Sequence, residues 1–210
     1  MHDCHVHSIY SYDCKFTMEQ MIEKSIDKKI KTLYFTDHFE LIKNSNLSFE
    51  FDLPEYWKEV KRFSVKYKDK IDVLCGLELG IGKEDIDLVE EKISNIPIDM
   101  IMLSIHRVNG EFFNRFSYFK ERSSLSIYED YYNYLLDTIN NFENFDILGH
   151  IDILENYSYL FEEVSFDRYG YLVKCVLKRL IELNKGLEIN TSVYNKNEDQ
   201  IKKQLRILQM

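Results

Sequence analysis

Six short apolar stretches, most of them closing on a titratable residue, limit what this chain can fold into. Cys4 to Ile9, Lys31 to His38, Asp72 to Glu78, Asp99 to His106, Phe145 to His150 and Gly186 to Thr191 read as strands. Stretches of helical length and period separate them. Thr17-Met18-Glu19-Gln20 is a capping box opening a helix to about Lys29. Asp52-Leu53-Pro54 opens the next, since proline is tolerated in a first turn, and that helix carries Trp57, Val60, Phe63, Val65 and Tyr67 as a broad apolar stripe. A polar helix from about Glu84 to Asn95 follows. Ser126-x-x-Glu129 reads as a second capping box, for a helix reaching about Phe142. Helices from about Asp167 to Asn184 and from Asn197 to Gln209 complete the pattern. Strands that are apolar almost throughout, alternating with helices, indicate a parallel sheet covered by helices. No glycine-rich phosphate fingerprint follows the first strand, which argues against a dinucleotide fold. The fold class is α/β, and a (β/α) barrel of six recognisable units is the expected architecture.

The polar residues favour that arrangement. His7, His38, Glu78, His106 and His150 fall at the C-terminal ends of successive strands, where barrel enzymes gather their chemistry. Of the six histidines only His2 lies outside the pattern. On a strand, His5 and His7 leave the same face, so two imidazoles make half of a transition-metal site. Glu78 sits among Leu77, Leu79 and glycines, and a carboxylate in such a place needs a cation. Asp13 follows in the first loop and can bend back over the same mouth. Asp37 and Asp152 are candidates for orienting an imidazole. Glu188 and Asn190 share one face of the sixth strand and either hydrogen-bond in the site or fill the interior. Cys4 faces away from His5 and reads as a small buried hydrophobe.

Lys plus Arg is 27 against 36 for Asp plus Glu, a net charge of −9. That argues against nucleic acid or an anionic membrane as partner, but not against an anionic substrate, because bound divalent cations reverse the local sign. No run reaches membrane-spanning length and no signal-peptide pattern opens the chain. The cysteines Cys4, Cys14, Cys75 and Cys175 show no paired spacing, so reduced thiols and a cytoplasmic location are expected. No linker breaks the alternation, and residues 1–210 are expected to form a single domain. Three long connections, roughly Phe39 to Leu53, Arg107 to Leu125 and Ile151 to Phe166, leave the strand ends. Their Phe and Tyr residues suit either a partial lid or packing of the mouth.

Taken in order, His5-x-His7 with Asp13, Thr36-Asp37-His38, Gly76-Leu77-Glu78, Ser104-Ile105-His106, Gly149-His150-Ile151-Asp152 and Glu188-Ile189-Asn190-Thr191-Ser192 resemble the motifs of the PHP (polymerase and histidinol phosphatase) superfamily. Within it the chain is most similar to the stand-alone histidinol-phosphate phosphatases. The resemblance covers essentially the whole chain. It implies a distorted seven-stranded (β/α) barrel, a cluster of two to three divalent metals (zinc, manganese or iron), and hydrolysis of a small phosphate ester in histidine biosynthesis. It further implies that His5, His7 and Glu78 hold one metal, that Glu78 bridges to a second held by His106 and His150, and that Asp13 and His38 hold a third.

The superfamily pattern closes with an Asp-x-His on a seventh strand, and this sequence has neither residue. Six βα units stand where seven are expected, so the domain is expected to lack its C-terminal portion. The sheet edge this leaves predicts either self-association, with a second copy covering it, or poor stability. The implied reaction is attack of a metal-activated water on phosphorus, with Glu78 and His106 in the metal machinery. Arg107, directly after His106, either clamps the phosphate or is a solvated loop residue, and Lys196 is a weaker candidate for the same task. Two alternatives stand beside this reading. One is a metal-binding remnant with impaired catalysis, and the other is a phosphodiesterase or nuclease.

Overall fold

A computed structural model describes residues 1–190, apart from 44, 46 and 114, and residues 204–210. The chain divides into two compact units, Met1–Ser104 and Ile105–Met210.

In the first unit the elements run β1 (His2–Val6), α1 (Met18–Asp27), β2 (Thr32–Phe35), β3 (His38–Phe39), α2 (Leu53–Tyr67), β4 (Asp72–Gly80), a 3-10 turn (Lys83–Asp85), α3 (Ile86–Ile93) and β5 (Met100–Ser104). The sheet is parallel in the order β1-β2-β4-β5, with β3 alongside the second half of β4. Thr17 caps α1 as expected: its hydroxyl accepts from the Gln20 N–H while the Gln20 side chain accepts from the Thr17 N–H. Asp52 caps α2, accepting from the Glu55 N–H. Leu53, Tyr56, Val60, Phe63 and Tyr67 are the buried residues of α2, one stripe at helical spacing. Val65 falls off that stripe and is 72% exposed, against the broad stripe expected.

β4 is the centre of this sheet and is buried from Cys75 to Gly80. A Cβ at Gly76 would stand 2.8 Å from Thr36 Cγ2, 2.9 Å from the Phe35 carbonyl oxygen and 3.1 Å from the Met100 carbonyl oxygen. Only glycine lets β2 and β5 close on β4 at that level. Two residues on, that packing sets the position of Glu78. The expected strand Lys31 to His38 is in fact interrupted: β2 ends at Phe35 and β3 begins at His38. At the break the Tyr56 hydroxyl accepts the Asp37 N–H and donates to the Gly76 carbonyl, while the Asp37 carbonyl still accepts the Glu78 N–H and its buried carboxylate is bonded to the first loop.

The second unit holds β6 (Arg107–Val108), β7 (Glu111–Phe112), α4 (Phe116–Phe119), α5 (Ser124–Asn141), β8 (Ile147–Leu148), 3-10 segments at Ile153–Leu160 and Phe166–Arg168, α6 (Gly170–Glu182) and β9 (Gly186–Leu187). β8 and β9 pair in parallel, and residues 204–208 are helical. α5 packs on α6 over a tyrosine-rich core in which Tyr128 and Tyr169 stack with ring centroids 4.1 Å apart.

The two long connections in this unit carry structure of their own. β6 and β7 form an antiparallel hairpin across Asn109-Gly110, both at positive φ (50° and 82°), the backbone a tight primed turn requires. α4 and the 3-10 segments occupy much of the rest. The cap of α5 also differs from expectation. Ser123, not Ser126, is the N-cap, and its hydroxyl accepts from the Ser126 N–H. Ser126 lies inside the first turn and donates its own hydroxyl to the Ser123 carbonyl. The expected helix from Asn197 lies outside the described residues as far as 203, as do Thr191, Ser192 and Lys196.

Candidate metal centre

The first unit brings five of the expected residues together. β1 delivers His5, and His7 follows one residue beyond its end; their Nε2 atoms stand 3.0 Å apart. β4 delivers Glu78, fully buried, whose Oε2 lies 3.2 Å from His5 Nε2 and 3.0 Å from His7 Nε2. β3 runs beside β4 with His38 in register with Glu78, which sets His38 Nδ1 3.0 Å from the same Oε2. Three imidazoles thus converge on one carboxylate oxygen. Asp13 closes the outer side, with Oδ1 3.0 Å from His7 Nδ1 and Oδ2 3.6 Å from His38 Nε2.

These distances suit a cation. Metal–nitrogen bonds of about 2.1 Å in a tetrahedron set donor atoms about 3.4 Å apart. Donor atoms of His5, His7 and Glu78 meet within 4.8 Å, and so do those of His7, Asp13 and His38. Imidazole with carboxylate is a donor set for zinc, manganese or iron. Burial alone would lower the His7 imidazole, but its bonds to Asp13 and then Glu78 outweigh burial and raise it to about 9. Contacts with His38 and His7 hold the Asp13 carboxyl well below the usual carboxylate range.

The loop that carries Asp13 hangs on Asp37. Its fully buried carboxylate accepts the Ser8 N–H (2.6 Å), the Ser8 hydroxyl (2.8 Å) and the Ser11 hydroxyl (2.7 Å). Burial pushes the Asp37 carboxyl up, against the pull of those bonds. Ser11 Oγ in turn accepts the His38 N–H at 2.9 Å. The expectation that Asp37 orients an imidazole directly is therefore corrected: it fixes the loop, and the histidine only through its backbone.

Glu40 escaped the sequence reading. It is buried, with Oε1 3.8 Å from His38 Nδ1, and its backbone exchanges two hydrogen bonds with Phe49. The signal was a second carboxylate two residues past a strand-end histidine, on the same face.

In the second unit His106 and His150 come together, Nε2 to Nε2 at 3.4 Å. The His150 N–H donates to Glu188 Oε2 at 2.7 Å, which ties the loop after β8 to the end of β9. The Asn190 carbonyl accepts from Gln204 Nε2 at 2.9 Å. Asp152 is buried, and burial raises its pKa. Arg107 lies on β6 with its side chain fully buried, which removes the reading of a solvated loop residue. Its guanidinium carbon lies 5.9 Å from the Phe112 ring centroid. Among the described residues no helix is long and apolar enough to cross a membrane.

The chain is 27% identical to a histidinol-phosphatase of Lactococcus lactis over 92% of its own length and 72% of that protein's. It is 29% identical to a protein of Clostridium acetobutylicum named a probable histidinol-phosphatase, over 93% of its own length and 75% of the relative's. Its fold matches the crystal structure of histidinol phosphate phosphatase from Lactococcus lactis, complexed with zinc, L-histidinol and phosphate, with a TM-score of 0.83 and 25% identity. That match covers 92% of this chain and 74% of the solved one, and it bears out the expected α/β fold of PHP type. The PHP domain model itself matches residues 3–192. The chain belongs to the PHP domain family.

Proposed function

We propose that the chain is a metal-dependent phosphomonoester hydrolase whose substrate is histidinol phosphate. The observation that supports this most is the convergence of His5, His7 and His38 on one oxygen of the buried Glu78, with Asp13 behind them. His5, His7 and Glu78 would hold one divalent ion, Asp13 and His38 a further one, and His106 with His150 another. Zinc is the favoured identity, because the Lactococcus lactis structure of similar fold contains it. When bound, the ions supply charge that neutralises phosphate oxygens and lower the pKa of water at the site, so hydroxide is available near neutral pH.

The protein's own groups do the positioning. Glu78, held in the middle of the sheet by the close approach at Gly76, keeps its carboxylate fixed and away from bulk water. Asp37 and Ser11 hold the Asp13 loop and the His38 backbone in one network. Among the described residues the hydroxyls and thiol nearest the cluster are not set up as nucleophiles. The buried Ser8 and Ser11 hydroxyls both donate to Asp37, and burial pushes the Cys75 thiol up to about 12. Water is the proposed attacking group. Arg107 is the proposed phosphate clamp, and its full burial requires that substrate entry uncover it. The proposal includes a cytoplasmic setting and a small phosphorylated substrate.

The test is phosphate release from histidinol phosphate by zinc- or manganese-loaded protein, with an oligonucleotide cleavage assay beside it. Release of phosphate without strand cleavage supports the proposal. Cleavage without release replaces it with a nuclease, and full metal content with neither activity replaces it with a silent metal-binding protein.

A further inference from the structure

Tyr12 lies between two residues that the candidate centre anchors. Ser11 before it is bonded to Asp37 and His38, and Asp13 after it meets His7 and His38. The backbone at Tyr12 is therefore held from both sides. Its ring stacks flat on the His38 imidazole, centroids 4.6 Å apart and planes within 7° of parallel. Phe49 stands at 85° to it, 5.1 Å away. Phe49 is fixed in turn by a two-way backbone bridge to Glu40, with bonds of 2.8 and 2.7 Å. Two aromatic rings thus meet at a right angle, one ring-stack away from the histidine that faces Glu78. Despite these contacts Tyr12 remains 59% exposed.

A large aromatic ring held from both sides, with most of its surface in water and beside the candidate metal cluster, is suited to hold a flat group. A positively charged flat group gains more, through the ring's negative face. Resting on the function proposed above, we propose that Tyr12 is a specificity-determining residue: with Phe49 it forms the wall against which the ring of the substrate's leaving group stacks. The substrate class is a phosphomonoester of a short alcohol that ends in a flat, protonatable ring. The imidazole of histidinol phosphate, joined to its ester by a short carbon chain, belongs to that class.

The experiment compares the wild type with Tyr12→Phe and Tyr12→Ala, all metal-loaded, by kinetics on histidinol phosphate and on glycerol 3-phosphate. Metal content is measured on each sample, and calorimetry follows L-histidinol binding. Removing one stacking partner is expected to weaken ring binding by about three- to tenfold. Tyr12→Ala should therefore raise KM for histidinol phosphate by that factor relative to any change with glycerol 3-phosphate, and weaken L-histidinol binding likewise, with the metal retained. Tyr12→Phe should resemble the wild type. Equal losses on both substrates, or loss of metal, would overturn the proposal and leave Tyr12 as a support for His38. No change in either substrate, or no binding of L-histidinol by the wild type, would overturn it as well. The L-histidinol measurement separates the two proposals: binding that depends on Tyr12 without phosphate release refutes the hydrolase reading alone.

Discussion

Asp37 touches none of the proposed ligand side chains, yet the candidate centre should fail without it. Replacing it with alanine removes the acceptor of three hydrogen bonds, from the Ser8 N–H and from the Ser8 and Ser11 hydroxyls. Bonds to a charged group contribute about 1.5 kcal/mol each at the low end of their range, and the Ser8 N–H is left buried without that acceptor. Against this loss stands the cost of burying the carboxylate, visible as its raised pKa, which the variant no longer bears. The net effect should be a loss of about 3 kcal/mol. Trp57, the only tryptophan, lies on α2 in the same unit, so urea unfolding followed by its fluorescence reads the right region. The freed Ser8 to Asp13 loop should also cost the Asp13 and His38 positions their metal affinity. Asp37→Asn keeps one oxygen acceptor and should lose about 1 kcal/mol, which keeps the comparison readable if the alanine variant does not fold. An Asp37→Ala protein within about 0.5 kcal/mol of wild type, with unchanged metal content, would refute the reasoning.

Other consequences can be measured directly. His7, raised to about 9 from its ordinary 6.5, is protonated in metal-free protein at neutral pH, so that contribution to stability is complete below 6.5 and is lost as pH rises through 9. A metal must displace that proton, so apparent zinc affinity should rise by up to about tenfold per pH unit below 9, with proton release in calorimetry under buffers of different ionisation enthalpy. Gly76→Ala should lose about 2 kcal/mol in thermal unfolding, because its Cβ would press on backbone of β2 and β5. Ser123→Ala should cost about 1 kcal/mol and Ser126→Ala under about 0.5, which checks in urea melts which serine caps α5.

Much of the candidate centre was legible because its signals are local. His5 and His7 declare themselves by a spacing of two on a strand, and Glu78 by being a carboxylate inside an apolar run. The Thr17 box is complete within four residues and behaves as read. What stayed hidden depends on contacts between distant segments. At the break between β2 and β3 Asp37 bonds residues 26 and 29 positions earlier and one 19 positions later, and no pattern within the strand announces that. Glu40 follows from the same break, which starts a new short strand at His38 and places Glu40 on the histidine's face. Ser123 and Ser126 both fit a cap, and only the start of the helix at Ser124 decides between them. The Asn109-Gly110 hairpin is announced locally by its two turn residues, inside what otherwise reads as a long connection. Tyr12 and Phe49 are far apart in sequence, and their meeting over His38 appears only in the fold.

On the proposed function, the Glu78 cluster binds metal and so supports hydrolysis of a phosphomonoester. Phosphate release from histidinol phosphate, measured with metal content on the same samples of wild type and Glu78→Gln, tests it most directly. The wild type should hold stoichiometric metal and release phosphate steadily, both abolished by a chelator, and Glu78→Gln should lose more than about a hundredfold in rate. A Glu78→Gln protein that keeps its metal and its turnover, or a fully metal-loaded wild type that releases no phosphate, would contradict it.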